Sequence, residues 1–172
     1  RLITDISQAS RVDTENLGQD GEQIDFAALL DNFIQLRRQS FADHKLVLVK
    51  SEQPIMVVGQ DGRIVQVLDN LLSNAASFSP KGARIIFDLS TKASPAQAVL
   101  KILDEGPGIP ENRLEIVFHR FYSERPKDES FGDHSGLGLS IAKQIIEGHD
   151  GSLVASNRDT GGSCFILTLP RA

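Results

Sequence analysis

Gln66-Val67-Leu68-Asp69-Asn70-Leu71-Leu72-Ser73-Asn74-Ala75 is the stretch that decides the fold. Gln66, Asn70 and Asn74 recur every four residues and so stack on one face of a helix. Val65, Val67, Leu68, Leu71, Leu72 and Ala75 surround them. A helix this apolar is buried against something, and a row of uncharged amides within it needs partners. Two arrangements satisfy it. Neighbouring loops can supply the hydrogen bonds, or the Asn carbonyl oxygens can meet a hard cation, which takes oxygen ligands and shares phosphate oxygens with a nucleotide. The helical pattern runs from Asp61 to about Ser77 and stops at Ser79-Pro80-Lys81-Gly82.

Towards the N-terminus, Ile24 opens a short strand and Asp25 caps a helix whose stripe is Phe26, Leu29, Leu30, Phe33 and Ile34. Arg37 gives that helix the basic end its dipole favours. Leu46–Val49 and Met56–Val58 read as strands. Further upstream, Leu2, Ile3, Ile6, Ala9 and Val12 have helical spacing, and residues 15–22, with Gly18 and Gly21, break it. The expected division is therefore a helix end at 1–14, a hinge at 15–22 and one domain over 23–172. A chain opening on Arg1 reads as a fragment or a processed product.

Towards the C-terminus, strands are expected over Ala83–Ser90 and Gln97–Leu103, joined by a turn around Ala93-Ser94-Pro95. A loop follows over Asp104–Pro110, then a short helix over Asn112–Val117, a long polar loop over 122–135 and a helix from Leu137 to Gly148. Gly151–Ser156 and Ser163–Leu169 close the chain as a hairpin. Three helices against a mixed sheet of about five strands make an α+β, two-layer sandwich. Alternation in Arg84-Ile85-Ile86-Phe87-Asp88-Leu89 supplies some of the polar residues an uncovered sheet face needs.

The 172 residues are 40% hydrophobic and 24% charged, enough for one continuous core and too apolar for disorder. A net charge of -5 argues against a surface that coats nucleic acid. No apolar run reaches the roughly 18–20 residues of a membrane span, and no signal-peptide core opens the chain. The single cysteine, Cys164, forms no intrachain disulfide and reads as a buried residue of the last strand. These features suit a cytosolic domain.

Two further constellations carry chemistry. Asp104-Glu105-Gly106-Pro107-Gly108-Ile109 follows an apolar strand directly. A carboxylate there can accept a hydrogen bond from an exocyclic amine, with glycines allowing close backbone approach; a solvated acid in a tight turn is the plainer reading. Ser135-Gly136-Leu137-Gly138-Leu139 opens a helix whose exposed N–H groups could hold phosphate, although close helix packing explains the small residues equally well. Neither is a Walker loop or a dinucleotide fingerprint.

In this order the motifs resemble the N, G1, F and G2 boxes of the histidine kinase catalytic domain, in the ATPase superfamily of DNA gyrase, Hsp90 and MutL. Phe118-His119-Arg120-Phe121-Tyr122 matches the F box, and Gly161-Gly162-Ser163-Cys164-Phe165 the final glycine-rich turn. The resemblance covers residues 23–170 and implies a Bergerat-type ATP-binding fold. It implies that Asn70 ligates Mg²⁺ bridging the ATP phosphates and that Asn74 lines the same site. Asp104 would bond the adenine amine, Gly106 and Gly108 would admit the base, and Ile109 would pack on it. Gly136 and Gly138 would present backbone N–H groups to the phosphates, Leu137, Leu139 and Ser163 would belong to the same ATP site, and Tyr122 would start a lid reaching Ser135. Gln66 stands where the superfamily's hydrolases have a glutamate, and an amide cannot take a proton from water. Many members carry basic residues where this chain has Ser77 and Ser123; Arg120, Arg125 or Lys127 would substitute for them.

Residues 1–14 resemble the end of a dimerisation and phosphoacceptor helix. None of His44, His119, His134 and His149 has an acceptor's context, and each is expected to be structural or solvent-facing. The resemblance implies a chain that binds ATP and Mg²⁺ without phosphorylating itself. The intact kinase would be a homodimer in the bacterial inner membrane that passes phosphate to its own histidine and then to a response-regulator aspartate. An anti-sigma-factor-type serine/threonine kinase and an inactive nucleotide-binding module share these boxes and are the rival readings. Because dimerisation in this family uses helices that the sequence lacks, the chain is expected to be monomeric. Sedimentation equilibrium should return the mass of one chain, and a twofold mass would contradict it.

Overall fold

The structure, a computed structural model, describes residues 21–122 and 136–172. The expected helix at 1–14 and nearly all of the expected hinge lie outside the described residues, as do Ser123, Arg125, Lys127, His134 and the rest of the lid. The elements run β1 (Glu22–Asp25), α1 (Phe26–Arg37), β2 (Lys45–Val49), β3 (Met56–Gly59), α2 (Asp61–Phe78), β4 (Arg84–Lys92), β5 (Gln97–Leu103), α3 (Gly138–Gly148), β6 (Ser152–Asn157) and β7 (Ser163–Pro170).

Five strands form the main sheet in the order β2-β4-β5-β7-β6. The β2–β4 pair is parallel and the other three pairs are antiparallel. Parallel neighbours need a crossover, and here it is the segment containing β3 and α2. The strands β1 and β3 form a separate antiparallel ribbon. The sheet is thus mixed and five-stranded, as the sequence suggests, while the two shortest expected strands pair with each other.

Period-2 alternation fixes the sheet's inner face. Ile85, Phe87 and Leu89 on β4, Ala98, Leu100 and Ile102 on β5, and Phe165, Leu167 and Leu169 on β7 are all buried. They share one core with the helix stripes: Phe26, Leu30, Phe33 and Ile34 on α1, Ile64, Val67, Leu68, Leu71, Leu72 and Ala75 on α2, and Ile141, Ala142, Ile145 and Ile146 on α3. Each large side chain fully removed from water contributes about 1.5–3 kcal/mol. The opposite face is only partly polar. Asp88 sits across from Lys101, while Ile86, Val99 and Ile166 are half-buried and Val154 is 49% exposed.

The short helix expected over Asn112–Val117 is two 3₁₀ turns, Glu111–Arg113 and Ile116–Phe118. The bonds Arg113 N–H to Pro110 O (2.8 Å) and His119 N–H to Ile116 O (2.8 Å) span three residues. A segment this short gains too few α-helical bonds to offset nucleation, so tighter turns form. The last long helix begins at Gly138 instead of Leu137, because Leu137 is its N-cap. Cys164 is buried as expected, and desolvation raises the pKa of its thiol.

Asp25 caps α1, as the sequence indicates: its Oδ1 accepts from Ala27 N at 3.1 Å and Ala28 N at 3.3 Å. The same oxygen accepts from Ile55 N at 3.4 Å, tying the cap to the chain before β3. Asp25→Ala should therefore cost about 1–2 kcal/mol, roughly 3–6 °C in melting temperature at this size. An unchanged melting curve would show that water replaces these bonds without loss.

A second clasp joins the start of β4 to the loop after β5. Glu105 accepts from Arg84 N (2.9 Å), Nε (3.0 Å) and Nη2 (2.8 Å). The Arg84 backbone N–H, then its guanidinium, hold the Glu105 carboxyl below its ordinary pKa. A carboxylate with a depressed folded pKa adds stability above its unfolded value and loses it as pH falls through the folded one. The stability gap between the parent chain and Glu105→Gln, read by urea unfolding, should be constant from pH 7 to about 5 and close below about 4. A gap that persists undiminished at pH 3.5 would contradict the clasp.

Candidate functional site

Helix α2 carries the amide row. Gln66, Asn70 and Asn74 are half-buried between buried apolar neighbours. Asn70 Nδ2 donates to the Gly138 carbonyl at 3.0 Å. A carbonyl only accepts, so the amide orientation is fixed by chemistry and Oδ1 is left as the acceptor. The bond joins the middle of α2 to the first residue of α3, bringing two of the sequence motifs into contact. The Asn74 main-chain carbonyl accepts from Ser77 Oγ at 2.9 Å.

Two more polar ties fix α2. Asp69 accepts from Arg37 Nε at 2.6 Å and Nη2 at 2.7 Å, and this hydrogen bonding raises the already high pKa of Arg37. The guanidinium also lies 5.2 Å from the Phe33 ring centroid. At the start of the helix, Gln60 N donates to His149 Nε2 at 3.2 Å, and His149 Nδ1 lies 2.7 Å from the Ile145 carbonyl. One partner can only donate and the other can only accept, so His149 is a neutral imidazole with its proton on Nδ1. It is buried and structural, as expected.

The Asp104 carboxylate ends β5 and is 2% exposed. Its Oδ1 accepts from Gly106 N at 2.9 Å and Ser163 N at 3.0 Å, and Ser163 Oγ donates to Oδ2. The Asp104 N–H donates to Ser163 O at 3.1 Å. Asp104, Gly106 and Ser163 are thus one hydrogen-bonded unit. An ionised carboxylate offers about four acceptor positions; these three donors leave one.

The glycines nearby have protein neighbours where a side chain would go. A Cβ on Gly106 would lie 2.8 Å from the Phe78 carbonyl, and one on Gly162 would be driven into the Asp104 carbonyl. Gly108 has φ +81°, and its Cβ would lie 2.9 Å from Asn157 Oδ1. Ile109 packs partly buried against the core.

Around the second motif, Leu137 is 1% exposed and Leu139 half-buried on the core, so these side chains anchor the helix start. Gly136 O accepts from Phe121 N at 2.9 Å, which brings the two edges of the 123–135 segment together. Tyr122 OH lies 3.5 Å from Arg113 Nη1. Arg120 is exposed, and Arg125 lies outside the described residues.

Sequence reading missed Arg84, Arg37 with Asp69, and Asn157 with Arg158. Their partners lie 21 to 54 positions away, and nothing in local spacing announces such pairs. Asn157 and Arg158 looked only like turn residues.

The histidine kinase-, DNA gyrase B- and HSP90-like ATPase family matches residues 59–172. The chain is 39% identical over 184 residues to the sensor protein ChvG of Rhizobium meliloti, covering 99% of this chain and 32% of that protein. Among solved structures, the mycobacterial sensor histidine kinase MprB superposes with a TM-score of 0.75 at 30% identity, over 88% of this chain and 97% of that one. The ATP-binding domain of PrrB from Mycobacterium tuberculosis gives 0.72 at 26% identity, over 90% and 99%. The chain therefore spans about a third of the ChvG sensor and nearly the whole of both these solved domains. With the amide row of α2 bonded to the start of α3 and a buried acid at the end of β5, the chain belongs to the histidine kinase-, DNA gyrase B- and HSP90-like ATPase family.

Proposed function

We propose that this chain is the ATP-binding catalytic domain of a sensor histidine kinase, giving the γ-phosphoryl group of ATP to a histidine on a separate phosphoacceptor domain. The observation that carries the reading is Asp104, a nearly inaccessible carboxylate with three donors from its own chain and one acceptor position left. An exocyclic amine of adenine completes that set. Ile109 packs on the base, and Ser163 holds the acid in place. Backbone N–H groups at Gly136 to Leu139 face the phosphates, where the positive end of α3 favours negative charge.

Asn70 fits a Mg²⁺ ion, because its amide hydrogens are turned to Gly138 and its oxygen is the group left to coordinate. Mg²⁺ would neutralise charge on the transferring phosphoryl group. Asn74, one turn on, lines the same face of α2. Gln66, one turn before, orients groups without taking a proton, so positioning and charge neutralisation supply the catalysis. Arg120, Arg125 or Lys127 would take over at the phosphates from the basic residues that Ser77 and Ser123 replace.

The remaining two thirds of a ChvG-like protein would carry the acceptor histidine, the dimer contacts and the membrane anchor, with a response regulator as the final acceptor. Similarity to named sensor proteins supports this placement.

Calorimetric titration tests the site. Mg²⁺-ATP should bind the parent chain, and Asp104→Asn and Asn70→Asp should each weaken binding at least tenfold, about 1.4 kcal/mol. Chelating Mg²⁺ should weaken ATP binding to the parent and change little in Asn70→Asp. No heat with millimolar ATP would end the nucleotide reading. Binding without phosphoryl transfer to a separately prepared acceptor domain would leave a nucleotide-binding module.

A further inference from the structure

We infer that Asn157 and Arg158, at the end of β6 and just beyond it, are positioning residues that hold both ends of the 104–109 loop in the shape adenine requires. The role rests on the nucleotide reading above and adds two residues to it.

Asn157 closes a two-way contact with one residue. Its Oδ1 accepts from Ile109 N at 2.8 Å and its Nδ2 donates to Ile109 O at 2.6 Å. Arg158 Nη1 donates to the Asp104 carbonyl at 2.6 Å. Two consecutive side chains therefore bind the first and last residues of the loop. Their own platform is closed on itself, with Arg158 N–H bonded to Gly162 O at 3.0 Å and Gly161 N–H to Arg158 O at 3.1 Å. Across the β6–β7 register Asn157 faces Ser163, the residue that fixes the Asp104 carboxylate.

The loop needs such a clamp. Gly106 and Gly108 make its backbone more permissive than an ordinary segment, and a loose loop must be ordered at the moment of binding. Gly108 sits at φ +81° with Asn157 Oδ1 2.9 Å from where a Cβ would be, so the glycine is matched to the clamp as well as to any ligand. Asn157 is exposed and Arg158 half-buried; bonds that compete with water add little net stability. Their effect should therefore appear in binding more than in folding.

The test uses the full chain and ADP, titrated calorimetrically, with ligand-free melting temperatures alongside. Arg158→Met removes the donor, Arg158→Lys restores one, and Asn157→Asp sets a carboxylate oxygen against the Ile109 carbonyl. Asp159→Ala, in the same turn, is the control. Arg158→Met and Asn157→Asp should weaken ADP binding five- to tenfold, with Arg158→Lys within about twofold of the parent, Asp159→Ala unchanged and all melting temperatures close to the parent's. The role is overturned if Arg158→Met binds ADP as the parent does, if Arg158→Lys is no better than Arg158→Met, or if weaker binding merely follows loss of fold. Failure of the parent itself to bind would remove the nucleotide reading and this role with it.

Discussion

The Asp104 carboxylate is out of reach of water, and everything around it follows from keeping it satisfied. A buried charge without donors costs several kcal/mol. One donor, Gly106, is local, but the others come from Ser163, 59 residues later. That demand fixes the pairing of β5 with β7, in which Leu103 stands opposite Cys164. A slip of one residue would take Ser163 from the acid and turn Phe165, Leu167 and Leu169 away from the core. The polar requirement at the strand end and the apolar requirement along the strands thus select the same register. The absence of a side chain at Gly162 belongs to this arrangement, because the backbone passes directly against the Asp104 carbonyl.

Helix α2 is placed by a comparable division of labour. Its apolar side is fully buried, which sets depth and rotation but leaves the helix able to slide along its axis. Three polar ties remove that freedom: Gln60 to His149 at its start, Asp69 to Arg37 on one flank, and Asn70 to Gly138 on the other. Two of the three reach α3, one at each end of that helix. The separation between the amide row and the glycine-rich helix start is set directly by the Asn70–Gly138 bond, while His149 holds the far end of α3 to the start of α2.

Much of this could be read from the sequence, and the limits are physical. Periodicity gave α1, α2 and the strands almost to the residue, since each has one strongly apolar face. The Asp25 cap was legible because N-capping is a local rule. Motif order pointed to Asn70 and Gly138, which lie in contact. Strand partners were not legible: β3 carries the same apolar signal as the main strands and β1 has only Ile24, and nothing in either says that they form their own ribbon. The 112–117 segment has helical composition but too little length, so two 3₁₀ turns replace the helix. Long-range clasps escaped altogether. Glu105 sits inside a motif whose glycines draw attention to the ligand, while its partner Arg84 opens a strand 21 residues earlier.

The chemistry of α2 also bears on which reaction the proposed site can support. The helix contains two carboxylates, Asp61 and Asp69. Asp61 accepts from Gly62 N at 2.6 Å at the helix start, and Asp69 is held by two guanidinium nitrogens of Arg37, Nε and Nη2. Neither is placed as a proton acceptor beside Asn70, and the residue one turn before Asn70 is an amide. A water molecule near the phosphates would find no general base on this helix, so its attack gains little from it. A neutral imidazole brought by another domain needs no such help, because its free nitrogen is already a nucleophile. On the proposed reading, an amide at Gln66 and the capture of Asp69 by Arg37 would favour phosphoryl transfer to an incoming side chain over hydrolysis. In this helix both carboxylates serve the architecture.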